Sequence, residues 1–240
     1  MKHPFRCRIL PSFTMGAGGL GLALRLWLFS ATDEKGLLPT GHIADAALYI
    51  LMAVTLGILF LATRELTSGR AGSRFSPLAV TVSHAVGGLG LLVCGLLTFT
   101  AGTVRLAEVA AAAAVAGCIA LFCMAFLHGH RKPIPYWLCV ILTIALMLDT
   151  VAQCQLWGSQ SQLQEYGFPL LASVFLILSA YQATALAAGK GNPRLLAFFS
   201  QSALFLCCLS LNTAHWPMYF GMLFWAAAQL DFCISHKKEA

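Results

Sequence analysis

The chain has 240 residues, of which 59% are apolar and only 10% charged, with a formal net charge of +6. A soluble globule of that composition would leave more apolar surface in water than it could bury, so the composition points to an integral membrane protein. The basic excess is scattered over short segments with no aromatic stacking platform beside it, which argues against nucleic acid and makes an anionic bilayer surface the natural partner of these charges.

At about 20 residues per crossing, the apolar stretches predict about eight spans. In chain order they run Ile9 to Ser30, His42 to Ala62, Leu78 to Phe99, Ala107 to Leu127, Trp137 to Trp157, Phe168 to Ala187, Leu195 to Leu211 and Pro217 to Cys233. Residues 1–240 then form a single integral-membrane helical domain, an all-α polytopic transmembrane bundle with no room for a soluble domain. Pro11, Pro39, Pro77, Pro135, Pro169, Pro193 and Pro217 fall just before a span or in its first turn, where a missing amide hydrogen does no harm. The first span follows basic residues, as a secretory signal does. Its apolar run of about 20 residues exceeds the 7 to 15 of a cleaved signal, so it reads as retained.

Lysine and arginine alternate strictly between the links. Lys2, Arg6, Arg8, Arg64, Arg70, Arg74, Arg131, Lys132, Lys190, Arg194, Lys237 and Lys238 fall on one side, Lys35 and Arg105 on the other. The positive-inside rule then predicts that both termini are cytoplasmic. Trp27, Trp157, Tyr166, Trp216 and Tyr219 are expected at the outer headgroup level and Tyr136 and Trp137 at the inner one. The outer links pair a longer one with a tight one in each half, which suggests a 4+4 parallel repeat.

Two charges lie inside spans. A lone charge at the bilayer centre costs about 2.5 to 3.5 kcal/mol on insertion scales, so each needs compensation. Arg25 is only about 7 to 8 Å deep and could snorkel to the surface. Asp149, at about 12 Å, is too deep for its short side chain to do so. It must be protonated, paired, or beside water. An Arg25–Asp149 ion pair is feasible, with Gln153 one turn above Asp149 as a polar partner. His42 and Asp45 at the start of span two could close a polar mouth with Gln155 and His215, and Gln182, Gln201 and Gln229 could continue the path inward. This constellation predicts an outward-facing site for a small polar or anionic solute, with Arg25 as counter-charge. A structural ion pair that fixes helix register is the competing reading.

Other motifs carry less. Gly16-Ala17-Gly18-Gly19-Leu20-Gly21 matches a dinucleotide-binding pattern, but no strand precedes it and it lies in a span, so close helix packing is expected, as for the small residues Ala110 to Gly117. His128 and His130 on a basic link lack the further ligands that a metal needs. His84 reads as a hydrogen-bonded core residue. None of the nine cysteines lies in an outer link and none forms a Cys-x-x-Cys, so they read as small apolar fillers. No cofactor or metal is expected. An intramembrane enzyme is the third reading, behind the others because Asp149 and His84 fall in opposite leaflets.

The segments Leu24-Arg25-Leu26-Trp27-Leu28, Asp33-Glu34-Lys35-Gly36-Leu37-Leu38-Pro39, and Trp157 with Gln162 to Tyr166 resemble a family of compact bacterial multi-pass membrane proteins of uncharacterised function. The resemblance spans most of the chain. It implies the helical fold and no activity, and the expected location is the plasma (inner) membrane of a bacterium. Two function classes remain, a small-solute carrier or binding component, and a non-catalytic accessory, sensory or scaffold protein with a membrane protein partner. Reporter fusions test the topology: a fusion after Gly36 should report the outside and one after Lys132 the cytoplasm. A cytoplasmic signal at Gly36 would overturn the orientation.

Overall fold

A computed structural model describes residues 5–31, 42–64, 76–101, 107–130, 132–157 and 163–235. Its helices are α1 (Phe5–Ser30), α2 (Ile43–Arg64), α3 (Pro77–Ala101), α4 (Ala107–Gly129), α5 (Tyr136–Trp157), α6 (Leu163–Ala187), α7 (Pro193–Leu209) and α8 (Trp216–Ser235), with a 3-10 turn at Ser210–Asn212. No strand occurs among the described residues. Seven of the helices, α1 to α7, are long and apolar enough to cross a membrane. The eighth, α8, has 20 residues, a rise of about 30 Å at 1.5 Å per residue, which is also a bilayer's hydrocarbon thickness. The chain is a multi-pass helical membrane protein.

Local chemistry sets the ends. Pro77 and Pro193 open α3 and α7 where no amide hydrogen is required. Ser76 Oγ accepts from the Ala79 amide and Asn192 Oδ1 from the Arg194 amide, so each of these helices begins on a capping side chain. Gly189, at φ +75°, ends α6 in the left-handed region that a residue without a Cβ enters freely. The predicted spans agree with the helices to within a few residues. The departures are at α1 and α6, which start before their apolar runs, so Pro11 and Pro169 lie inside helices.

Successive helices run antiparallel. Trp27 meets His42 across the first link, Gly95 meets Ala114 between α3 and α4, and Gly117 meets Ala145 between α4 and α5. The bundle therefore has a Ser30 end and an Arg64 end. Helices α3 to α8 pack in chain order, and α8 closes back on α3 to make a ring of six. Helices α1 and α2 pack outside it against α7, which α1, α2, α6 and α8 enclose. Every residue from Ser200 to Ser210 is buried. Helix α2, by contrast, turns Ile50, Val54, Ile58 and Leu61 outward, a face suited to lipid.

The packing does not repeat. Helix α6 packs along α7, while its counterparts under a 4+4 repeat, α2 and α3, make no extended contact; α3 packs on α8, and the counterpart pair α7 and α4 does not. The suggested repeat was an agreement of link lengths, and link length does not dictate which helices meet.

Small residues set the closest approaches. Gly90 and Gly221 face each other between α3 and α8, and Gly18 and Gly21 lie against Cys208 and Leu209 of α7. The glycine-rich segment of α1 is thus a packing surface, as expected. A Cβ at Gly90 would stand 2.5 Å from the Pro217 carbonyl oxygen and 3.0 Å from Gly221 Cα, both backbone atoms with little freedom to move. Gly90→Ala should therefore destabilise the purified protein by about 1 to 3 kcal/mol. Gly19→Ala meets nothing within 4 Å and should be neutral or gain up to about 1 kcal/mol of helix stability. Thermal unfolding followed by size exclusion distinguishes them, and equal effects would refute the α3–α8 contact.

Candidate binding site

Two of the predicted charges are buried, and each has its own partners. Gly21 of α1 stands level with Leu209, so α7 stops while α1 continues nine residues, about 13 Å, to Ser30. Leu209 and Ser210 are fully buried, and a helix that ends inside a bundle leaves carbonyls that need donors. The Ser210 amide returns to Leu206, Cys207 and Cys208. Arg25, one turn beyond Gly21, donates from Nη1 to the Leu209 carbonyl at 2.5 Å. Its guanidinium lies over the rings of Phe29 and Phe168 at 5.5 and 5.7 Å. With 2% of its surface exposed, Arg25 does not snorkel. It places a cation at the negative end of the α7 dipole.

Asp149 is 2% exposed, on the face of α5 that enters the ring. Its carboxylate accepts from Gln153 Nε2 at 2.5 Å. Gln153 Oε1 in turn accepts from the Tyr219 hydroxyl of α8 at 3.1 Å. The same hydroxyl reaches the Pro169 carbonyl and the Ser173 hydroxyl of α6, each at 3.2 Å. Asp149, Gln153, Tyr219 and Ser173 thus form one polar chain that ties α5, α8 and α6 together inside an apolar ring. The Asp149–Gln153 step follows the i,i+4 spacing read from the sequence. The feasible Arg25–Asp149 pair is not formed, since among the described residues the hydrogen bond to Asp149 comes from its own helix.

Tyr219 and Ser173 were not singled out as site residues. Tyr219 was expected at the headgroup level, yet it is completely buried with its hydroxyl in the core. The available signal was its stripe: Tyr219, Met222, Ala226 and Gln229 recur at helical spacing and are all buried. Trp27, Trp216, Tyr136 and Trp137 are exposed.

The proposed mouth residues are distributed and not gathered. His42 is half-buried, caps α2 by accepting from the Ala44 amide at 3.2 Å, and meets Trp27 edge-on at 5.4 Å. Asp45 is half-buried in the first turn of α2, and Gln155 is exposed. His215, in the link before α8, lies 3.0 Å from Cys94 Sγ of α3, and burial lowers its pKa, so the ring is neutral at pH 7. Cys94 is accordingly more than a filler. Of the glutamines expected to continue the path, Gln201 accepts from Thr14 at 3.2 Å on the α1 side of α7, outside the ring, Gln229 shares the buried face of Tyr219, and Gln182 is half-buried. His84 is a satisfied core residue, with Nδ1 on the Val80 carbonyl at 2.8 Å and its ring stacked on His128. No group of three or more potential metal ligands occurs among the described residues.

No family model matches the chain, no curated protein matches its sequence and no solved structure matches its fold. The resemblance to compact bacterial proteins therefore stands on its short segments alone. The separate partners of the two charges make a prediction. Arg25→Leu should strand the buried Leu209 carbonyl at a cost of about 1 to 3 kcal/mol. Combined with Asp149→Leu, the losses should add to within about 0.5 kcal/mol, as independent sites do. A stability rescue in the double variant would show that the two charges are coupled.

Proposed function

We propose that the protein is a small-solute carrier, or the membrane-embedded binding component of one, with its polar site reached from the Ser30 end. By the distribution of lysine and arginine, that end faces outward and both termini are cytoplasmic, in the plasma membrane of a bacterium. One observation carries the reading: Asp149 sits in the ring 2% exposed, bonded to a neutral amide. An ionisable group kept at that depth is expensive, and such groups mark substrate or ion pathways. The groups beside it, the Tyr219 and Ser173 hydroxyls, the Gln153 amide and the Pro169 backbone carbonyl, come from three helices and are the donors and acceptors that orient a small polar ligand. The charge at the site is that of Asp149, while Arg25 is engaged at the end of α7, so a neutral or cationic solute suits the site better than the anionic one first expected.

A second reading has its own support. The Arg25 contact to Leu209 is architectural, and an accessory or scaffold protein working with a membrane partner needs nothing more than a stable bundle with exposed helix faces. A thermal-shift screen of small polar solutes on the purified protein separates the two. A ligand present at about 100 times its Kd should stabilise by about 2.7 kcal/mol, and proteoliposomes should take it up. Asp149→Asn should abolish both responses while remaining folded. Copurification with a fixed partner, and neither stabilisation nor uptake, would favour the accessory role.

A further inference from the structure

The polar chain beside Asp149 has a property that a fixed structural bond lacks: its steps through Gln153 can be drawn in two directions. With Asp149 ionised, the Ser173 hydroxyl donates to Tyr219 Oη, Tyr219 donates to Gln153 Oε1, and Gln153 Nε2 donates to the carboxylate. With Asp149 protonated, the carboxyl becomes a donor and needs an acceptor. Rotating the Gln153 amide by half a turn exchanges its oxygen and nitrogen in place. The carboxyl then donates to Gln153 Oε1 and Gln153 Nε2 donates to Tyr219 Oη. The Tyr219 proton moves to the acceptor already waiting at 3.2 Å, the Pro169 carbonyl oxygen.

We propose that Asp149 is a proton-binding site whose loading reverses the hydrogen-bond direction between α5 and α8 and turns the Tyr219 hydroxyl onto the Pro169 carbonyl of α6. The proton comes from water at the Ser30 end, and an O–H bond forms on the carboxylate. No other covalent bond forms or breaks, and Tyr219 keeps its own proton and exchanges only its acceptor. No cation among the described residues bonds the carboxylate, so the charge that burial makes costly is removed by the proton itself. The other titratable groups around the chain are Tyr219 itself on α8, Cys94 on α3 with its partner His215, and Cys207 on α7. Helix α6 presents the Ser173 hydroxyl and the Pro169 carbonyl to the chain, neither of which titrates. This deepens the carrier reading, on which it rests only for naming the proton as the coupling ion.

The test is an infrared pH titration of the full chain in lipid nanodiscs from about pH 5 to 9, a window wide enough for a perturbed buried carboxyl. A protonated-carboxyl band should grow as the pH falls, be absent in Asp149→Asn, and be accompanied by a change in a tyrosine band that Tyr219→Phe removes. Tyr219→Phe should also displace the carboxyl midpoint by about 0.7 pH unit, the equivalent of one net hydrogen bond. Both replacements are nearly isosteric. Ser173→Ala, which alters the far end of the chain, gives a further check by shifting the tyrosine band in an otherwise intact network. A carboxyl band constant over the whole range would overturn the proposal. So would a midpoint unmoved in Tyr219→Phe with a silent tyrosine band, or a midpoint set by sodium when it replaces choline. A normal titration with no solute uptake would sink the carrier reading and leave the proton site standing.

Discussion

Inside a bilayer a backbone carbonyl has no water to turn to, and α7 ends where that rule is hardest to satisfy. Its last residues are enclosed by neighbouring helices, and the next turn, Ser210–Asn212, starts while still fully buried. The bond from Arg25 to Leu209 resolves this by bringing a donor that is also a cation to the negative end of the helix. The same face of α1 carries Thr14, Gly18, Gly21 and Arg25, a stripe at helical spacing that meets Gln201, Cys208, Leu209 and the end of α7 in turn. The two helices are parallel. Glycines bring the backbones together, and the arginine completes the seam. The position of α1 outside the ring follows from that seam.

With α7 secured from outside, the ring interior is left to α3, α4, α5, α6 and α8. Large side chains fill it, among them Leu142, Leu146, Tyr219 and Trp225, each almost wholly buried. The polar chain from Asp149 to Ser173 crosses this apolar filling with its steps satisfied by hydrogen bonds. Elsewhere Ser179 Oγ, Gln201 Nε2, Ser202 Oγ and Trp225 Nε1 are buried with no hydrogen-bond partner among the described residues. The Asp149 network is thus a buried side-chain network whose steps are all hydrogen-bonded among the described residues. Low local dielectric makes such a network strong when complete and expensive when broken. That is the physical basis of the role in binding proposed for it.

Much of this was legible along the chain. The apolar runs and prolines located the helices because hydropathy and missing amide hydrogens act locally. Asp149 and Gln153 were paired correctly because an i,i+4 relation belongs to one helix. Tyr219 was misread because an aromatic residue near a helix end looks the same whether it faces headgroups or a neighbour. Arg25 was open to two readings, snorkelling or pairing with Asp149, and it is buried and bonds the Leu209 carbonyl, a group every residue possesses and no sequence pattern marks.

The sequence by itself determined the class of molecule, an all-helical multi-pass membrane protein, the positions of its helices to within a few residues, and a carboxyl inside a span that demands compensation. Those properties follow from side-chain transfer energies and backbone periodicity, which are summed residue by residue. Only the tertiary structure decided that the helices close into a ring of six with two outside, that Arg25 serves α7, and that Tyr219 and Ser173 join Asp149. Each of these depends on which helix faces meet, and apolar helices of similar composition can meet in many ways until glycine approaches and buried hydrogen bonds select one.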